Sequence, residues 1–211
     1  MTSLVIATAA FLATHFATST PLRAKLVAAM GEWPYRGLYS LVAFVTLVWM
    51  IWAYATAEHD HLWTGPRTPP FVAMPFAFAL LACGYWRNPT MVGADKLLKA
   101  EEPARGMIRI TRHPIMWAVM LWSASHLIAR GDLKAVVFFG GFLVLAALGT
   151  VLVDVRKKAD PDWARFAAVT SNIPFLAVAQ GRNRIAWHEI GWLRPLAGLV
   201  AFGGVLYFHP H

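Results

Sequence analysis

The chain alternates between long apolar runs and short polar segments. Six runs stand out: about Thr2 to Ser19, Tyr35 to Ala57, Phe71 to Trp86, His113 to Ala129, Leu133 to Val155 and Ile190 to Phe208. Each approaches the ~20 helical residues that cross a hydrocarbon core. None has the period-2 alternation of a membrane β-barrel. The pattern predicts an all-α fold, a polytopic membrane helix bundle of about six transmembrane helices in one domain over residues 1–211. Pro21, Pro34, Pro69, Pro70 and Pro114 punctuate the starts of runs, where a missing N–H costs nothing. A shorter surface helix is expected from Asp160 to Val169, with Asp160 as N-cap and Pro161 in its first turn. Trp163, Phe166 and Ala167 then share one face.

Composition sharpens this picture. Of 211 residues, 58% are hydrophobic and 14% charged, against about 25% charged in soluble domains. The net charge of +8 comes from cations lying between the runs, which reads as a topology signal and not as a nucleic-acid surface. The segments after runs one, three and five hold Arg23, Lys25 and Arg36, then six Lys and Arg from Arg87 to Arg112, then six from Arg156 to Arg184. The alternate loops hold Arg67, Arg130 and Lys134. The positive-inside rule therefore puts both termini outside the cytoplasm. The first run lacks Lys and Arg before Arg23, so a retained span is expected in preference to a cleaved signal. Trp33, Trp63, Trp86, Trp187 and Trp192 fall near run ends, as interfacial rings do. Trp49, Trp117 and Trp122 lie deeper and are expected to pack inside. The single cysteine, Cys83, excludes an internal disulfide.

Candidate chemistry rests on the histidines. His59, His61, His209 and His211 belong to outer loops, with no spacing of a structural zinc site. His188 marks the start of run six. His15, His113 and His126 remain. An ionisable group inside a membrane segment is a functional candidate, although a bundle histidine can simply bond a neighbouring helix. Imidazole is a common haem ligand, and bundle cores hold cofactors between facing helices. His113 and His126 stand about 20 Å apart on one helix and point to different sides. An axial pair must therefore join His15 to either His126 or His113. Ser19, four residues after His15, is placed to hydrogen-bond its second ring nitrogen. Trp122 and Val119 share a face with His126, with Ser123 at its edge. Depth favours the opposite pairing: straight helices set His15 and His126 roughly 12 Å or more apart in height, which makes His113 the better partner for His15. His113 with Arg105, Arg109 and Arg112 also reads as an anion site at a helix start.

Five segments carry a resemblance: THFATS (Thr14 to Ser19), EWPYRGLYSLVAF (Glu32 to Phe44), GMIRITRHP (Gly106 to Pro114), MLWSASHLIARGD (Met120 to Asp132) and DWARFAAVTSNIPF (Asp162 to Phe175). Together they resemble the NnrU family over nearly the whole chain. That family is similar to the 15-cis-zeta-carotene isomerases of plants and cyanobacteria, integral membrane proteins carrying haem b. The resemblance implies iron ligands at His15 and His126; Ser19 and Trp122, by helix spacing, would then stand beside the cofactor. It implies His113 and Arg112 as catalytic candidates. It also implies a lipid-soluble substrate entering sideways, a cis–trans isomerisation with no net redox change, and a multi-pass location in the bacterial inner (cytoplasmic) membrane, with an oligomer allowed. Bacterial relatives are linked to nitrite and nitric oxide reduction (denitrification), so a haem-bearing factor or sensor is an alternative to an enzyme.

A second resemblance competes. Arg-His-Pro followed by Asp162, Trp163, Phe166, Ile173 and Pro174 looks like the isoprenylcysteine and phospholipid methyltransferases of membranes, which bind S-adenosylmethionine. Those enzymes carry a Glu-Glu or Glu-Arg element where this chain reads Asp154-Val-Arg156-Lys157, a departure that argues against methyl transfer.

Overall fold

The structure is a computed structural model and describes residues 1–209; His211 falls outside the described residues. Among those residues the architecture is all-helical, with a single isolated β-bridge between His61 and Asp132. The helices are α1 (Thr2–Ala17), α2 (Pro21–Met30), α3 (Glu32–Thr56), α4 (Thr68–Gly84), α5 (Pro114–Arg130), α6 (Leu133–Lys157), α7 (Pro161–Val169), α8 (Leu176–Ala179), α9 (Trp187–Ile190) and α10 (Leu193–Phe208). Two 3-10 turns, Asp95–Lys99 and Gly106–Arg109, lie between α4 and α5.

Helices occupy all six expected apolar runs. Two of them, α3 and α6, are long and apolar enough to cross a membrane. A third candidate is α1 with α2, if that pair, bent by 74°, forms one broken span. α4 and α10 are shorter apolar helices. α3 leaves Leu41, Phe44 and Trp52 about 60% exposed, an apolar surface that water would not tolerate at this extent and that hydrocarbon would cover. The chain divides into two compact units.

The first unit holds Met1–Pro69 and Ser123–Gly149. Here α1 packs along α3, with Ser3 accepting a 3.2 Å bond from the Trp49 indole at one end and His15 edge-on to Tyr39 at the other. Leu4, Ala7 and Phe11 of α1, Met50 and Ala53 of α3, and Ala135, Phe138 and Phe139 of α6 are buried. Gly141 is needed on α6 because a Cβ there would come within 2.6 Å of the Thr8 methyl; small residues permit this close helix approach. The turn between α5 and α6 is closed by Gly131 at φ +62°, whose carbonyl accepts from the Leu62 and Trp63 amides. Asp132 caps α6 by accepting from the Ala135 amide at 2.7 Å. Trp49, expected inside, is 36% exposed, with its indole N–H bonded to Ser3.

The second unit holds Pro70–Trp122 and Thr150–His211. α10 approaches α4 at Gly198, where a Cβ would meet the Phe78 carbonyl at 2.6 Å. Its core gathers Leu98, Ala104 and Ile108 with Trp163 and Phe166 of α7. α7 forms as the sequence predicts: Asp160 accepts from the Asp162 amide at 2.9 Å, Pro161 follows, and the Trp163–Phe166 face is buried.

Candidate functional site

The candidate residues fall into two groups. His15 and His126 belong to the first unit, from α1 and α5 respectively. The His15 Nδ1 lies 2.8 Å from the Phe11 carbonyl oxygen. A carbonyl only accepts, so Nδ1 donates, and Nε2 of the neutral ring carries the lone pair. That tie to a backbone carbonyl is how proteins fix the tautomer of a ligating histidine. The partner therefore differs from the expected Ser19, which sits in the turn after α1 with its amide donating to the Phe16 carbonyl at 2.9 Å. Trp122 is the last residue of the second unit's α5 portion and is partly buried.

A relay of rings connects the two imidazoles. His15 lies 4.3 Å from Phe11, Phe11 lies 5.4 Å from Phe142, and Phe142 lies 5.3 Å from Phe138. Phe138 then meets Phe139 at 5.2 Å, and Phe139 stacks on His126 at 5.1 Å and 25°. The surroundings are apolar and aromatic, and the lone-pair nitrogen of His15, Nε2, makes no hydrogen bond among the described residues. Four phenylalanine rings thus lie on the path between the two imidazoles, and a macrocycle held by both needs those rings displaced. The buried Oγ1 of Thr8 and Oγ of Ser123 have no hydrogen-bond partner, so two polar atoms of this unit stand unsatisfied in an otherwise ring-lined interior.

His113 and Arg112 sit in the second unit and are bound differently. His113 is 2% exposed, and its Nε2 pairs with Asp154 Oδ1 at 2.8 Å. Arg112 donates to Asp154 Oδ2 at 3.1 Å and to the Thr170 carbonyl at 2.9 Å. Its amide donates to the Ser171 carbonyl, and the Phe175 amide, on a residue at φ +64°, donates back to the Ile110 carbonyl. Thr111 and the Trp117 indole both donate to the Asn172 carbonyl, at 2.7 and 2.8 Å. The Arg-His-Pro and Thr-Ser-Asn-Ile-Pro-Phe segments thus form one knot on a single carboxylate. Burial pulls the Arg112 guanidinium below its ordinary value, and Asp154 opposes this.

Arg109 is likewise occupied. Its Nε and Nη2 donate to Glu189 Oε2 and Oε1, both at 2.8 Å, and Nη1 donates to Asn183. Glu189 also accepts from the Gly106 amide at 2.8 Å. The Arg109 bonds hold the Glu189 carboxyl far below the usual range, at about 2. The anion site read from Arg105, Arg109 and Arg112 is therefore not what the fold builds: two of its three cations are neutralised by Glu189 and Asp154. The sequence marks Asp154 only as a departure from a methyltransferase element and does not reveal either carboxylate as the partner of these cations. The available signal was Asp154 inside an apolar run, where an acid demands a partner. Among the described residues, no group of three His, Cys, Asp or Glu side chains could hold a metal ion. His59 Nε2 instead accepts from Lys134 Nζ at 2.9 Å.

These features define a helical protein with membrane-length apolar helices and two separately anchored histidine sites. The chain belongs to the NnrU family: the family model described as NnrU protein matches residues 3–211. It is also similar to the chloroplastic 15-cis-zeta-carotene isomerase of Arabidopsis thaliana, 27% identical over 157 residues. That match covers 72% of this chain and 40% of the plant protein. No solved structure matches the chain.

Proposed function

We propose that this chain is a membrane-embedded cis–trans isomerase of a poly-cis polyene that uses haem b held by His15 and His126. The single observation that carries the reading is His15, its Nδ1 tied to the Phe11 carbonyl, in the same unit as His126 on a separate helix. Family membership and the likeness to a carotene isomerase support it. The haem would supply an iron able to interact with a polyene double bond and lower its rotation barrier. The chain's own residues do the rest. Phe11 fixes the His15 tautomer through its carbonyl, and the rings of Phe138, Phe139 and Phe142 offer an apolar surface that excludes water. Ser19 and Trp122 flank the two ligating helical turns. His113 and Arg112 act through Asp154 as positioning residues that lock the start of α5, the helix carrying His126. The six helices cross the bacterial inner membrane with both termini outside, the arrangement that the Lys and Arg distribution favours.

The test is the visible spectrum of detergent-purified protein. A Soret band is expected in the wild type, lost or shifted in His15→Ala and in His126→Ala, and kept in His113→Ala. A strain accumulating the poly-cis substrate should then regain the isomerised polyene only with the intact chain. A Soret band indifferent to both ligand substitutions, or colourless protein that binds S-adenosylmethionine tightly, overturns the reading. A coloured protein with no isomerase activity points instead to a haem-bearing factor for nitrogen-oxide reduction.

A further inference from the structure

A cavity of about 300 Å³ opens in the second unit, away from the knot on Asp154. Cys83, Trp86, Arg87, Arg105, Gly106, Met107, His188, Glu189, Ile190 and Arg194 line it, but the chemistry is concentrated in a few of these. Three guanidinium groups converge on it. Its one carboxylate, Glu189, is already claimed by Arg109 and the Gly106 amide. Arg194 donates to the Glu189 and Ile190 carbonyls and lies 4.6 Å over the Trp86 ring, so its position is fixed. Arg105 meets Glu102 at 3.5 Å, a weak pair between side chains about half exposed. Arg87 makes no hydrogen bond or ion pair among the described residues, yet its backbone stands at φ +49°. A left-handed conformation is strained for a residue with a Cβ, and such outliers cluster at functional sites, ligand clamps among them.

The floor and rim differ in chemistry. Cys83 and Ile190 are buried together with Ile110, and Met107 packs against them, which gives the cavity an apolar base. Around it, Trp86, Trp187, Trp192 and Leu193 are 58 to 84% exposed, as expected for side chains at the boundary between hydrocarbon and headgroups. Cations above an apolar base at that boundary match a ligand with a phosphate at one end and hydrocarbon at the other.

We infer that this cavity binds a phosphate-bearing anion, with Arg87 and Arg105 as its principal contacts, and that an anionic phospholipid is the form that uses the apolar base. This site is independent of the haem reading. The test uses the full chain in nanodiscs of phosphatidylcholine and phosphatidylglycerol, with native mass spectrometry counting retained lipid. Wild type is expected to keep one phosphatidylglycerol. R87Q/R105Q should retain it at least tenfold less often, while R184Q, an exposed charge outside the cavity, should match wild type. Unchanged thermal unfolding and an unchanged gel-filtration profile in R87Q/R105Q confirm that the variant is folded. Displacement of the lipid by millimolar inorganic phosphate, again lost in R87Q/R105Q, keeps the site and assigns it to a soluble phosphate. Equal retention by R87Q/R105Q and wild type overturns the inference.

Discussion

His15 and His113 are both tied down, but by opposite nitrogens. In the first unit His15 spends Nδ1 on a backbone carbonyl and leaves Nε2 without a hydrogen bond among the described residues. In the second unit His113 spends Nε2 on Asp154, which Arg112 also grips. One imidazole is held within its own helix with Nε2 outside any hydrogen bond among those residues; the other is part of the scaffold. The difference teaches that a histidine's burial says little about its role. The ring nitrogen that the fold consumes says more.

The largest expected effect comes from breaking the first arrangement. His15→Ala and His126→Ala should each remove or shift the Soret band of the purified protein, whereas removing Ser19's hydroxyl (Ser19→Ala) should leave it in place, because Phe11 and not Ser19 holds the ring. Next in size is Asp154→Ala. It strands Arg112 and His113, which are 11% and 2% exposed at their side chains, and loss of one partner of a buried pair costs about 3 kcal/mol or more. Thermal unfolding in detergent should show the drop, and colour should survive at temperatures below it. Asp154→Asn, which keeps a hydrogen-bond acceptor, should lose less than Asp154→Ala.

A smaller effect is tied to pH. Glu189 holds a carboxyl pKa of about 2 where an ordinary glutamate stands near 4.5. Its folded pKa is depressed, so its contribution is fully present above about 4.5 and is lost as pH falls through about 2. Wild type should therefore lose stability between those values. Glu189→Gln should start less stable at neutral pH and show a shallower acid decline over the same window. A slope identical in both proteins would remove Glu189 from the account. The smallest change is Asp160→Ala, which deletes the cap of α7 and should cost about 1 kcal/mol, read as a slightly lower unfolding temperature.

Much of the architecture was legible because hydrophobic periodicity is local. The six runs contain α1, α3, α4, α5, α6 and α10, and the Asp160–Pro161 start of α7 is a short-range signal that needs no tertiary contact. The length of the membrane-crossing segments was less legible. α1 breaks from α2 with a 74° bend, at Thr20 and Pro21, where the Thr20 hydroxyl caps the new helix by accepting from the Leu22 amide. The site was partly legible. Histidines inside apolar runs advertise themselves, since hydrocarbon penalises them. Their partners do not: Asp154 is 41 residues from His113, and Glu189 is 80 from Arg109.

The sequence alone determined that this chain forms apolar helices, where they begin, and which few polar side chains they carry, because each of those follows from neighbours within a turn or two. Only the tertiary structure decided which cations are spent and which remain. Arg109 and Arg112 are neutralised by carboxylates from distant segments, and Arg87 is left to line a cavity. The physical reason is that charge pairing depends on distance through space, and the spacing of residues along the chain does not encode which acid will be folded against which base.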